Sequence, residues 1–331
     1  MQQCQFGRVP SVYLGMGRPL RYLPPSERDG EGDGWHLVEI TSRTVQSRHL
    51  LRPGSKLNRL VLGCLGRAQR QTGVRIHDFV FLSNHFHLLA SVESVEQQAR
   101  FLRCLGWITV EVRHVHGWEG KLWRRRARSI PVSDEEEAQV ARLRYLYSQG
   151  VKENLVTSPE DWPGAASVGA RMQGHRTLQG DWVDRTRLHR ERRRGARERD
   201  CTDPETIALS PLPAWADLSW SEYRDRVREL VGAIREEARL RHRTAGTRPV
   251  GAEAVLSVDP FGRPERSKRS PAPRFHAASR DVRRQLEAAY RCFVELYREA
   301  SRRFRDGEGG VRFPEGCFPP PPAYCPVARP P

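Results

Sequence analysis

The chain has no run of about 20 consecutive apolar residues, the length a bilayer-spanning helix needs, so no membrane partner is expected. Its cysteines are few and scattered: Cys4, Cys64, Cys104, Cys201, Cys292, Cys317 and Cys325 include no C-x-x-C pair. That spacing argues against a zinc ribbon or a disulfide framework and suits a reducing compartment. No positively charged segment followed by an apolar core opens the sequence, so a cytoplasmic, nucleoid-associated location is expected. No internal repeat is visible either. What is abundant is positive charge. Lysine and arginine number 56 against 40 acids in 331 residues, a formal net charge of +16. A balance that basic points to a polyanion, of which nucleic acid is the commonest; the plain alternative is solubility in an arginine-rich proteome.

Residues 1–34 are rich in Gly, Pro and Arg and read as a loose leader. Ordered pattern starts at Trp35 with a strand to Arg43. A helix follows Pro53-Gly54-Ser55, with Leu57, Leu60, Val61, Cys64, Leu65 and Ala68 on one face and Gly73 as its stop. Arg75 to Leu82 and His85 to Val92 form two strands around Ser83-Asn84, a hairpin signal. Ser94-Val95-Glu96-Gln97 opens a helix to about His114, Ser129 to Val132 is a short strand, and Ser133-Asp134-Glu135-Glu136 caps another helix over 134–149. The fold class is therefore α+β: a ferredoxin-like β-α-β-β-α-β antiparallel sheet followed by a helix, within residues 35–170. Beyond it the reading is a basic linker over 171–218, a helical accessory region over 219–306 and a proline-rich irregular tail over 307–331. The extension is thus expected to be mostly α-helical.

His85-Phe86-His87 carries the most chemical information. Side chains alternate along a strand, so the two histidines share one face while Phe86 enters the opposite layer. Two imidazoles so placed can supply two nitrogens to a divalent ion, although a pair of structural histidines is about as common. On helix 134–149, Val140, Leu143 and Tyr147 form the core stripe. Tyr145 and Gln149 fall on the opposite face, one turn apart. A phenol and a carboxamide there suit a nucleophile meeting a phosphate beside a metal, with the Gln149 oxygen as third ligand; a surface tyrosine resting on Arg142 is the alternative.

Several stretches together resemble the REP-associated tyrosine transposases, within the single-tyrosine HUH transposases. They are His77-Asp78-Phe79-Val80-Phe81-Leu82-Ser83-Asn84-His85-Phe86-His87-Leu88-Leu89, Gly120-Lys121-Leu122-Trp123-Arg124-Arg125-Arg126, Arg144-Tyr145-Leu146-Tyr147-Ser148-Gln149-Gly150-Val151-Lys152-Glu153-Asn154-Leu155-Val156, and Ser158-Pro159-Glu160-Asp161-Trp162-Pro163. They stand in family order and cover about residues 35–170. Leu82-Ser83 departs from a common Met-Pro, and Gln149-Gly150 from a common Asn-Pro. The resemblance implies that His85 and His87 bind metal, that Gln149 is the third ligand and that the helix after the sheet carries Tyr145 as nucleophile. The implied activity is that of a DNA nickase and strand transferase forming a 5′-phosphotyrosine, with Mg²⁺ or Mn²⁺ as cofactor. The implied partner is single-stranded DNA at hairpin-flanked, REP-like sites, with a homodimer left open. A silent DNA-binding regulator and a relaxase or replication initiator are the alternatives. Arg43, Trp123, Arg124, Arg125, Arg126 and Arg128 are candidates to track DNA, joined by Arg192, Arg193 and Arg194 of the basic run 185–199. For the extension, the expectation is an accessory grip on DNA beside the cleavage site; the alternative is a stabilising brace.

Overall fold

The computed structural model describes residues 22–24, 34–264 and 273–317. Most of the expected leader and residues 318–331 of the expected tail lie outside these. Strand β1 (His36–Arg43) is followed by α1 (Ser55–Thr72), whose left-handed Gly73 cap ends it as the sequence suggests. The hairpin β2 (Arg75–Leu82) and β3 (His85–Val92) comes next. The helix expected over 94–114 is two: α2 (Val95–Cys104) and α3 (Trp107–His116), parted at Gly106, a poor helix former. Ser94 caps α2 by accepting from the Gln97 amide at 3.1 Å. Then follow β4 (Arg128–Pro131), α4 (Glu136–Tyr147), the single turn α5 (Gln149–Lys152) and α6 (Val168–Gln173).

The four strands make one antiparallel sheet in the order β2-β3-β1-β4. Both faces are covered, so β2 and β3 are buried along nearly their whole length. One face, with Val38, Ile40, Phe79, Phe86 and Leu88, buries against α1, α2 and α3. The other, with Leu37, Val80, Leu82 and Leu89, buries against α4 and the extension. A bulge in β2 makes this assignment. The register with β3 slips between Ile76 and Asp78, so the alternation reverses and Asp78 turns toward the second face.

The extension departs from expectation. Residues 171–218 hold not a linker but an antiparallel pair, β5 (Thr177–Val183) and β6 (Thr202–Ala208), joined through α7 (Arg185–Glu191) and two short turns. The pair lies directly on α1. Gly63 of α1 and Gly180 of β5 meet backbone to backbone, and a Cβ on either would collide with the other element. Arg59 grips Asp181 with two bonds of 2.5 and 2.6 Å, and Arg67 and Arg70 hold the buried Glu205. Next come α8 (Trp220–Ala245), α9 (Ala252–Ser257) and α10 (Arg280–Arg305). Helix α8 starts at the expected Ser219–Glu222 capping box and inserts Tyr223, Val227, Val231 and Ile234 into the core that holds Val80, Leu143 and Leu146. Helix α8 thus packs against the sheet domain, as the brace alternative expects. Helix α10 instead nucleates a small aromatic cluster of Tyr290 and Phe293 with Phe275 and Tyr22, so the leader segment 22–24 is tied down here rather than loose.

Candidate functional site

His85 and His87 stand at the start of central strand β3, directly after the two-residue turn Ser83–Asn84. Across the sheet they pair with Arg43 and Thr41 of β1, and Thr41 in turn with Arg128 of β4. Their rings lie 5.3 Å apart, nearly perpendicular, on the face shared with α4. The Asn84 side-chain oxygen is 2.6 Å from His85 Nδ1, and Asn84 is fixed by its own bond to the Ser47 carbonyl. Burial first, and then the proximity of His87 and of the Arg43 charge, drive the His85 pKa well below its ordinary value, so the ring is neutral near pH 7. His87 Nδ1 is 2.8 Å from Glu39 Oε1, and since a carboxylate only accepts, Nδ1 carries the proton and Nε2 the lone pair in the neutral ring. Burial alone would raise Glu39. Contacts with His276 and His87 override that and hold its carboxyl well below the usual range.

Helix α4 delivers Tyr145 to the same place. Its ring meets His87 edge-on at 5.4 Å, with the Arg142 guanidinium 4.9 Å and the Lys152 ammonium 4.7 Å from its centroid. Gln149 is buried. Its amide nitrogen donates to the Tyr145 carbonyl at 2.7 Å, and its side chain lies beside the His85 ring. Tyr147, two residues on, is buried on the far side, where its hydroxyl donates to Asp78 at 2.8 Å. Ser167 donates to the same carboxylate at 2.8 Å, and Arg171 and Tyr223 stand 3.5 Å from it. Burial pushes Tyr147 far above the ordinary tyrosine pKa, as does the Asp78 charge. Half-buried Tyr145 faces the histidines, while Tyr147 is a structural donor in a polar core.

The helix bearing the two tyrosines starts at Glu136, later than expected, and ends at Tyr147, so Gln149 stands on the following turn, α5. Ser133 donates to Glu135, whose carboxylate accepts the backbone amides of Ala278 and Ser279, so the acid serves a distant segment rather than its own helix. Among the basic candidates, Arg43 stands beside His85, and Arg124, Arg125 and Arg128 are exposed along the same end of the sheet. Arg126 is exposed next to them, but Trp123 is turned inward, its ring 5.3 Å from Phe86 at the margin of the opposite layer. It lines a cavity of about 260 Å³ with Ser42, Phe86, Leu102, Arg103 and Arg125. Arg192, Arg193 and Arg194 form an exposed turn carried by the β5–β6 pair on α1, on the side of the sheet away from the histidines. Arg185, from the same run, is committed to Glu111 of α3 and to Glu198.

Two residues at the site escaped the sequence reading. Glu39 had a visible signal, a lone carboxylate inside the apolar strand Leu37-Val38-Glu39-Ile40. His276 had none, since nothing in its neighbourhood points to residue 39. Among the described residues no three His, Cys, Asp or Glu are grouped so as to hold a metal, and none of their helices is long and apolar enough to cross a membrane.

No family model matches the chain, and no curated protein matches it. Among solved structures it is similar to that of a REP-associated tyrosine transposase bound to a REP hairpin. The identity is 14%, the TM-score 0.34, and the match covers 52% of this chain and 86% of that one.

Proposed function

We propose that this protein is a metal-dependent endonuclease and strand transferase for single-stranded DNA, with Tyr145 as nucleophile. The observation that carries the reading is the edge-on contact of the Tyr145 ring with His87, while the neighbouring Tyr147 is consumed by Asp78. The strand order β2-β3-β1-β4, all antiparallel, supports a ferredoxin-like scaffold for it.

The donor set suits a divalent ion. Both imidazoles have Nδ1 occupied by a neighbour, which leaves Nε2 to ligate, and the Gln149 amide adjoins His85. Two neutral nitrogens and one amide oxygen fit Mn²⁺ or Mg²⁺, Mn²⁺ better because of the imidazoles. When bound, the ion supplies Lewis-acid polarisation of the phosphate oxygens and steadies the leaving group. Arg142 and Lys152 place positive charge around the phenol, where a phosphate must approach. The Tyr145 oxygen attacks phosphorus in line and loses its proton, a P–O bond forms, and the P–O3′ bond breaks to release a protonated 3′-OH. The result is a 5′-phosphotyrosine, and attack by another 3′-OH rejoins strands. Arg43, Arg124, Arg125 and Arg128 lie at the same end of the sheet and suit the flanking phosphates. By its sequence resemblance, the substrate is DNA flanked by hairpins.

The test is to incubate the protein with single-stranded oligonucleotides and Mn²⁺, then seek a covalent adduct on denaturing gels and map it by mass spectrometry. An adduct on Tyr145 that a chelator prevents is expected. Cleavage without an adduct, or an adduct elsewhere, would refute the assignment.

A further inference from the structure

Two histidines from opposite parts of the chain converge on one buried carboxylate. Glu39 presents Oε1 to His87 Nδ1 at 2.8 Å and Oε2 to His276 Nε2 at 2.7 Å. The second approach is at ion-pair distance but oblique, without the angle of a directed hydrogen bond. Arg142 stands 3.8 Å from that same oxygen. His276 is about nine-tenths buried, so neither it nor Glu39 can exchange this contact for water.

The backbone around His276 is built to hold it there. Its amide donates to the Pro131 carbonyl at 2.9 Å, and its carbonyl accepts from Ser133 at 2.8 Å, which adds this segment to the end of β4. Two and three residues on, the amides of Ala278 and Ser279 each lie 2.9 Å from an oxygen of Glu135. Phe275 and Ala277 on either side are buried. A segment needing only an anchor would be served by an apolar side chain, because burying an imidazole against a carboxylate costs desolvation. The geometry points instead to a use for the pair.

We infer that His276 is a positioning residue for the candidate metal site, clamping the Glu39 carboxylate so that its other oxygen holds the His87 ring with Nε2 toward Tyr145. The inference rests on the function proposed above. A carboxylate bonded to the far nitrogen of a ligating histidine sets that ring's tautomer and orientation, and losing such a partner lowers metal affinity on the order of ten- to a hundred-fold. Here the carboxylate is itself held by a residue 237 positions away in sequence, so the extension contributes to the site and is more than a neighbour of it.

The experiment measures Mn²⁺ binding to the full chain without DNA, by loss of the free-ion EPR signal. It compares wild type with His276→Ala, His276→Gln and His87→Ala, each with a thermal melt. Expected are a rise in Kd of about ten-fold or more for His276→Ala, substantial recovery in His276→Gln, whose amide can donate from the position of Nε2, and the greatest loss for His87→Ala. An unchanged Kd in His276→Ala, with His87→Ala impaired, overturns the positioning role and leaves the metal site standing. Equal weakening in the Ala and Gln variants, with equally lowered melting temperatures, also overturns it, because then only packing was lost. If wild type binds no Mn²⁺, or His87→Ala binds it as wild type does, the parent reading fails and this inference falls with it.

Discussion

Replacing either tyrosine of α4 by phenylalanine removes one oxygen, yet the two substitutions should have opposite consequences. In Tyr147→Phe the lost hydroxyl donates at 2.8 Å to Asp78, a carboxylate with no exposure to solvent. A hydrogen bond to a charged group contributes about 1.5–3 kcal/mol, and a buried acceptor cannot recover it from water. Ser167 remains at 2.8 Å, while Tyr223 and Arg171 stand at 3.5 Å, so the network is weakened rather than destroyed. For a domain of this size each kcal/mol moves Tm by about 2–4 °C, which gives a drop of about 3–12 °C. Tyr147→Phe should nonetheless form the DNA adduct at temperatures where it is folded. In Tyr145→Phe the ring contacts with His87, Arg142 and Lys152 persist, so stability should shift by no more than about 0.5 kcal/mol. Adduct formation should vanish while DNA binding is retained, since binding rests on many phosphate contacts. Differential scanning calorimetry and a denaturing-gel adduct assay on both variants decide the matter. An unchanged Tm with lost adduct in Tyr147→Phe would refute the division of roles between the two tyrosines.

Other perturbations follow from the same geometry. His85→Ala or His87→Ala should abolish cleavage even in excess Mn²⁺, and Gln149→Ala should be milder because water can replace an amide oxygen; Mn²⁺ titration of oligonucleotide cleavage checks this, and undiminished cleavage by either histidine variant contradicts it. Stability should fall with pH below about 6.5. Burial lowers the His77 pKa to about 4 despite its bond to the Pro211 carbonyl, so the unfolded chain takes up a proton that the folded chain refuses. This contribution is complete above pH 6.5, is lost as pH falls to about 4, and amounts to about 3 kcal/mol. Burial lowers His85 in the same sense, and melts from pH 7 to 4 on wild type and His77→Gln should show a shallower slope in the variant. Truncation near residue 175, which an accessory grip would tolerate, should instead leave no cooperatively melting domain. It strips Leu212, Trp215, Tyr223 and Val227 from the core and the β5–β6 pair from α1; a truncated chain with a sharp melt and full cleavage would contradict that account.

Local periodicity made much of this legible. The two-residue alternation put His85 and His87 on one face, and the 100° step per residue separated Tyr145 from Tyr147, because both rules depend only on backbone geometry that adjacent residues share. Serine caps marked the starts of α2 and α8 and Gly73 the end of α1 for the same reason. What tertiary structure decided lies where distant segments meet. The bulge at His77 reverses the facing of β2 and turns Asp78 toward Tyr147, an effect invisible to a period-two pattern that assumes an unbroken strand. A basic stretch that reads as a solvated linker became a β-pair on α1, since its acids and glycines were matched to Arg59, Arg67, Arg70 and Gly63 more than 100 residues earlier. Glu39 and His276 meet for a similar reason. Their contact is set by a segment added to the edge of β4, and no spacing between residues 39 and 276 encodes it, because the relation exists only once the sheet has formed.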